Sequence, residues 1–320
     1  MAHTTKLDHE AMANTLRAQY NVIARRQSLA CGMTDRALGH RIRSGGPWQR
    51  LLPGVYLVTT GTPTFDQQDQ AALLYAGPGS VLTGTAALRR HGLRAPQTGI
   101  VDVLVVGRRQ RQSAGFVKIH YTYRMPDLVC SAGQIQFTMA ARAVADAARS
   151  LSGFQDVRAV VAHSVQRGWC QLTQLAEELD HGPMQGSARF RRALAEAIDG
   201  IRSAAEGDFR DLLSRGGLPK PMFNARLFAG DRFIAQPDAW WPDASVAAEV
   251  DSREWHFSPD DWERTMSRHT AMAAHDILPL HFTPRQIRTE AATVVHSIRS
   301  ALDRRRGRTY PAIRALPPLG

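Results

Sequence analysis

Apolar residues along the chain recur first with helical period, then in short alternating runs. Leu16, Tyr20, Ile23 and Ala24 keep helical spacing until Gly32 interrupts them. Thr34 is placed to cap a further helix over 35–44, which turns Leu38 and Ile42 inward and carries Arg36, His40, Arg41 and Arg43 on its other faces. Gly45-Gly46 ends that helix. Two short strands, 48–52 and 55–58, then flank Pro53-Gly54, a type II turn signature. Three short helices followed by a Pro-Gly hairpin predict a winged helix-turn-helix over 14–62.

The pattern over 63–182 is less distinctive. It predicts helices at 67–75, 84–91, 137–149 and 157–167, a buried-type strand at 101–106 and an alternating strand at 117–123, together a small α/β middle region. His91, His120 and His163 are scattered without ligand spacing and read as structural or surface residues. No Gly-rich phosphate loop is present, and 182–186, with Pro183, reads as a linker.

A third region, 188–305, predicts a helix (188–217), three strands (222–228, 232–240, 245–251), a helix (259–275), a strand (277–282) and a last helix (284–303). Gly216-Gly217 stops the first helix, and Ala229-Gly230-Asp231 makes a hairpin turn. Ser258-Pro259 and Thr283-Pro284 each pair an N-cap with proline at the first helical position. The fold class is therefore α/β, with an αβββαβ order in the last region.

Composition narrows the function classes. A chain of 320 residues with 43% hydrophobic and 22% charged residues buries sizeable cores and is neither disordered nor fibrous. No apolar run approaches the roughly 20 residues that span a bilayer. The first 14 residues are polar and include Asp8 and Glu10, unlike a signal peptide, so a cytoplasmic protein without membrane partners is expected. Cys31, Cys130 and Cys170 fit neither a disulfide framework nor a zinc motif and read as small buried hydrophobes. Of the net charge of +11, residues 1–100 contribute 11 basic against 5 acidic side chains. A basic first third that also reads as a winged helix makes double-stranded DNA the expected partner: a helix enters the major groove, arginine reaches guanine edges or phosphates, and the wing rests on the backbone. Arg36, His40, Arg41, Arg43 and Arg50 are the candidate contacts. A protein-interaction winged helix with a solvated arginine face is the alternative.

In the last region acids stand where apolar residues are expected. Val246, Ala248 and Val250 alternate to one face of their strand, so Ala247, Glu249 and Asp251 share the other. A turn centred on Asp243-Ala244 sets Asp238 opposite Glu249, whereas a one-residue shift makes the two diagonal. Directly opposed like charges are destabilising, and a divalent cation between the carboxylates offsets that repulsion. Glu206, three residues before Phe209 on the preceding helix, reaches toward the same place. Each acid taken singly also fits a turn, an exposed sheet face or a solvated helix. Arg264 and Arg268, one turn apart, are placed to hold a phosphate, while His269, His275 and His281 read as structural or rim residues.

Two resemblances sharpen these expectations. The run from Ala30-Cys31-Gly32 through Arg50-Leu51-Leu52-Pro53-Gly54-Val55-Tyr56 resembles the N-terminal winged-helix domain of AbiEi-type antitoxins, over about 50 residues. That implies DNA binding, often autoregulatory, with a cognate toxin as partner. The run Phe233-Ile234-Ala235-Gln236-Pro237-Asp238-Ala239-Trp240-Trp241-Pro242, with Val246-Ala247-Ala248-Glu249-Val250-Asp251, His256, Asp261-x-x-Arg264 and Leu280-His281-Phe282-Thr283, resembles the domain family related to very-short-patch repair endonucleases. That family lies in the PD-(D/E)XK, or restriction-endonuclease-like, superfamily. It implies Mg2+-dependent (or Mn2+-dependent) phosphodiester hydrolysis, with a repair protein as a further partner. Under this resemblance Asp238 and Glu249 match the two motif acids, Glu206 the helix acid, and His256 a histidine that positions or deprotonates water. The superfamily lysine position holds Asp251, and no lysine follows Lys220. The sequence thus supports a DNA-binding, metal-dependent endonuclease. The alternative is an antitoxin or transcriptional regulator with a degenerate nuclease fold. An RNA-processing nuclease fits the charge but lacks an aromatic RNA-binding platform.

Overall fold

The computed structural model describes residues 7–107, 111–250 and 259–318, with backbone only for 259–262, 264 and 265. The chain is mixed α/β and divides into two compact units, 1–194 and 195–320.

The first unit begins with α1 (His9–Ala18), β1 (Val22–Ala24), α2 (Arg25–Ala30), α3 (Asp35–Ile42), β2 (Gln49–Leu52) and β3 (Val55–Leu57). Asp8 caps α1 and Thr34 caps α3 through side-chain oxygens. The helical run expected to continue through Ala24 stops at Ala18. Tyr20 and Asn21 take left-handed backbone conformations, and Val22 to Ala24 pair antiparallel with β3 instead. The β-branched Val22 and Ile23 are fully buried in that strand. With β2 on the far side of β3 the result is a three-stranded sheet, and Gly54 supplies the positive φ of its hairpin turn. Met12, Ile23, Leu38, Trp48 and Tyr56 form the core beneath it.

The unit continues with α4 (Phe65–Ala76), β4 (Val81–Thr83), α5 (Gly84–Arg90), β5 (Val101–Val106), β6 (Val117–Thr122), β7 (Val129–Ala132), β8 (Ile135–Thr138), α6 (Ala140–Ser150), α7 (Phe154–Gln166) and α8 (Leu172–Asp180). The strands form one five-stranded sheet in the order β6-β5-β4-β8-β7. Phe137, expected to open a helix, instead lies in the β7-β8 hairpin, whose turn uses Gly133 at positive φ. His91 is buried with Nε2 2.8 Å from the Thr138 carbonyl, and His120 Nε2 is 2.6 Å from Asp102 Oδ1. Cys31 and Cys170 are buried, Cys130 is half-buried, and all three are free thiols.

The second unit holds most of α9 (Ala188–Arg215), followed by β9 (Met222–Phe223), β10 (Arg226–Ala229), β11 (Arg232–Ala235), β12 (Ala239–Trp241), β13 (Val246–Val250), α10 (Pro259–Ala274), β14 (Leu278–Phe282), α11 (Pro284–Thr289), α12 (Ala291–Arg305) and β15 (Arg314–Leu316). The expected strands 222–228 and 232–240 are each broken in two. Asn224 turns the chain at positive φ, and Pro237, without an N–H, separates β11 from β12. Their halves join two sheets: β14-β13-β12-β9, in which only β13 and β14 are parallel, and β11-β10-β15. The last expected helix is likewise two, parted at Glu290.

Strand alternation then sorts the side chains of the larger sheet. Ala239, Trp241, Val246 and Ala248 pack with Phe209 and Leu213 of α9 and Val294, Ile298 and Leu302 of α12. Trp240 and Ala247 face the other way, onto Leu227, Ile234 and Met272. Both faces are covered, so β12 and β13 read as continuous apolar runs, and Glu249, on the Ala247 face, interrupts one.

Candidate functional site

The local turn sets the geometry of the acids. Pro242 to Ala244 form a single 3-10 turn closed by Ser245 in the left-handed conformation, giving the antiparallel register Ala239↔Ala248 and Trp241↔Val246. Continued by one residue, that register sets Asp238 across from Glu249. The two side chains are held differently. Asp238 Oδ2 accepts a hydrogen bond of 2.7 Å from the Val250 N–H. Glu249, 5% exposed, meets the Arg268 guanidinium, with Nη2 2.9 Å from Oε2.

Burial raises the Asp238 carboxyl above its ordinary pKa of 3.8, and the nearby Glu206 charge pushes it further up, against the Val250 hydrogen bond, Arg202 and Arg268. Glu206 on α9 is therefore close enough for its charge to be felt. A group whose folded pKa is raised stabilises the fold fully below its unfolded value and loses that contribution as pH climbs through the folded value. Asp238→Asn keeps an acceptor for Val250 and cannot ionise. In chelator it is expected to be more stable than wild type at neutral pH, the difference vanishing as pH falls toward 3.8. Urea titrations across that range check it; a less stable variant at pH 7 would mean that the arginines outweigh burial.

Two histidines expected at the rim lie at the acid instead. His281 on β14 is the parallel-register partner of Glu249, with Nδ1 3.8 Å from Oε2. His269 precedes the buried Met272 by one turn of α10, and its ring centroid is 4.2 Å from that of His281. The ligand atoms of Glu249, His269 and His281 all lie within 4.8 Å of one another. Asp238 and Glu206 are outside that group. Asp251 and His256 lie outside the described residues, as does the Arg264 side chain.

In the first unit, Arg36, His40, Arg43 and Arg50 are exposed. Arg36 and His40 are one turn apart on α3, with Arg43 at its end. Arg41 differs: it is half-buried, its guanidinium 5.7 Å from the centre of the Trp48 ring.

No model of a known protein family matches the chain, and no curated protein matches it. Among the described residues no helix is long and apolar enough to cross a membrane.

Proposed function

We propose that the chain is a DNA-binding protein whose second unit is a divalent-cation-dependent endonuclease of the restriction-endonuclease-like kind. The observation that carries this reading is the opposition of Asp238 and Glu249 on adjacent strands, with Glu206 near enough to raise the Asp238 carboxyl further. Glu249 is buried and Asp238 half-buried, and like charges set across from one another destabilise a sheet unless something offsets them. A divalent cation held by Asp238 and Glu249 would offset that repulsion, and when bound would supply polarisation of a phosphoryl oxygen and a more acidic water. The chain's own residues do the rest. Asp238 is oriented by the Val250 N–H, and Glu249 is fixed by its strand. Arg268, 39% exposed, carries the cationic group that receives a DNA phosphate.

The order helix, strand, helix, helix and hairpin in the first unit supports a winged helix-turn-helix that brings duplex DNA to this site, with α3 as the reading helix. A second reading, a regulator that keeps the nuclease fold as scaffold, is favoured by the Arg268–Glu249 ion pair, since a guanidinium already neutralises the acid.

Supercoiled plasmid incubated with the protein and Mg2+ or Mn2+ is expected to be nicked or linearised, and EDTA to stop it. The double variant Asp238→Ala, Glu249→Ala is expected to cut at least about 10–100-fold more slowly. Absence of cutting on varied DNA with duplex binding intact would move the assignment to the regulator.

A further inference from the structure

We infer that Glu249, His269 and His281 form a binding site for a divalent first-row transition ion of the zinc–manganese kind, held by one carboxylate oxygen and two imidazole nitrogens. The three donors come from three elements, β13, α10 and β14, and converge because of the fold rather than local sequence. The parallel register puts Glu249 and His281 side by side, and helical spacing from Met272 turns His269 onto the same face. Glu249 is held within the sheet at 5% exposure, while both histidines are half-buried among the described residues.

Distance favours a metal. Donors bound at about 2.0–2.1 Å sit about 3.4 Å apart in a tetrahedral site. The Glu249–His281 separation of 3.8 Å is already close to that spacing. The whole group, within 4.8 Å, reaches it by side-chain rotations that move the donors on the order of 1 Å. Three protein donors with an open position make the usual arrangement of a reactive zinc site. Two imidazoles beside one carboxylate suit zinc, cobalt or manganese, whereas Mg2+ prefers oxygen donors and retains its waters. Arg268 is the internal competitor: its guanidinium and the ion seek the same carboxylate.

The site shares Glu249 with the nuclease reading, yet an ion held here requires no cleavage. Full-length protein stripped with EDTA and desalted is titrated with Co2+ and followed by visible absorption. One Co2+ per chain is expected, displaced by Zn2+ and not by equal Mg2+. Glu249→Gln, His269→Ala and His281→Ala are each expected to weaken it by at least about 10–100-fold, the range for losing even a supporting residue of a metal site. His296→Ala, on the exposed face of α12, should leave it unchanged, and Arg268→Gln should tighten it by removing the competitor. Circular dichroism checks folding, and His281→Asn replaces the alanine variant if that fails to fold.

No stoichiometric Co2+ binding, binding that survives loss of both histidines, or equal competition by Mg2+ would overturn the site. The plasmid assay separates the two ideas. Metal-dependent cutting by wild-type protein that takes up no stoichiometric Co2+ removes the site and keeps the nuclease; Co2+ binding by wild type without any cutting does the reverse.

Discussion

Trp240→Ala is expected to destabilise the second unit by about 3–5 kcal/mol, the range for removing a buried tryptophan side chain. Trp240 is 1% exposed and packs on Leu227, Ile234, Ala247 and Met272. Its cross-strand partners are Ala247 and Met222, and interior packing is dense enough that these neighbours refill the space only in part. The loss is one of packing rather than of hydrogen bonding. The Trp240 indole N–H has no acceptor among the described residues, whereas Trp241 donates to the Pro219 carbonyl at 2.7 Å. Trp240→Phe, which also removes that buried donor, is therefore expected to cost only roughly 1–2 kcal/mol. Urea unfolding of both variants, read by a probe in the second unit, checks the ratio; equal losses would point to the indole N–H. The alanine variant should also cut DNA poorly at temperatures where it remains folded. β12 leads out of Asp238, and α10, one turn after Arg268 and His269, rests on the same face through Met272.

This dependence of the acids on a two-sided core explains what the sequence reveals. Strand parity is local: Val246, Ala248 and Val250 mark one face, and Glu249 follows on the other. The Pro242-Asp243-Ala244 turn is local too, and with it the register that opposes Asp238 and Glu249. Parallel pairing is not. Nothing near His281 states which strand it will adjoin, because β13 and β14 are joined through α10. A signal was nonetheless present. Leu278, Leu280 and Phe282 repeat the apolar alternation of β13, which sets His281 on the opposite parity, and His269 stands one turn from Met272. Lone histidines on such faces are easily taken for structural residues.

The misplaced boundaries have the same origin. Ile23 and Ala24 fit a helical period by spacing, but β1 is buried by pairing with β3, a strand more than 30 residues later in the chain. Phe137 similarly serves β8, beside Leu82 of β4. The breaks at Asn224 and Pro237 carry clear local signals, a residue tolerant of positive φ and a missing N–H. What those signals omit is that the severed halves go to different sheets.

Replacing Arg36, Arg43 and Arg50 together by alanine is expected to weaken duplex binding strongly and to flatten its salt dependence. The choice follows from their setting. All three are exposed, while Arg41 stacks on Trp48 and supports the core beneath α3. If each contacts one phosphate, the slope of log affinity against log salt falls by up to about 2.7, at about 0.9 per contact. Folding should be little affected, since surface substitutions away from special features usually change stability within about 0.5 kcal/mol. Arg41→Ala should show the reverse balance, a loss of stability larger than its effect on the slope, because its stem and guanidinium cover Trp48. Fluorescence anisotropy with a labelled duplex at several salt concentrations measures both. An unchanged slope in the triple variant would remove α3 and its hairpin from the DNA interface and leave any DNA contact to the second unit, where Arg268 beside Glu249 would then have to supply it.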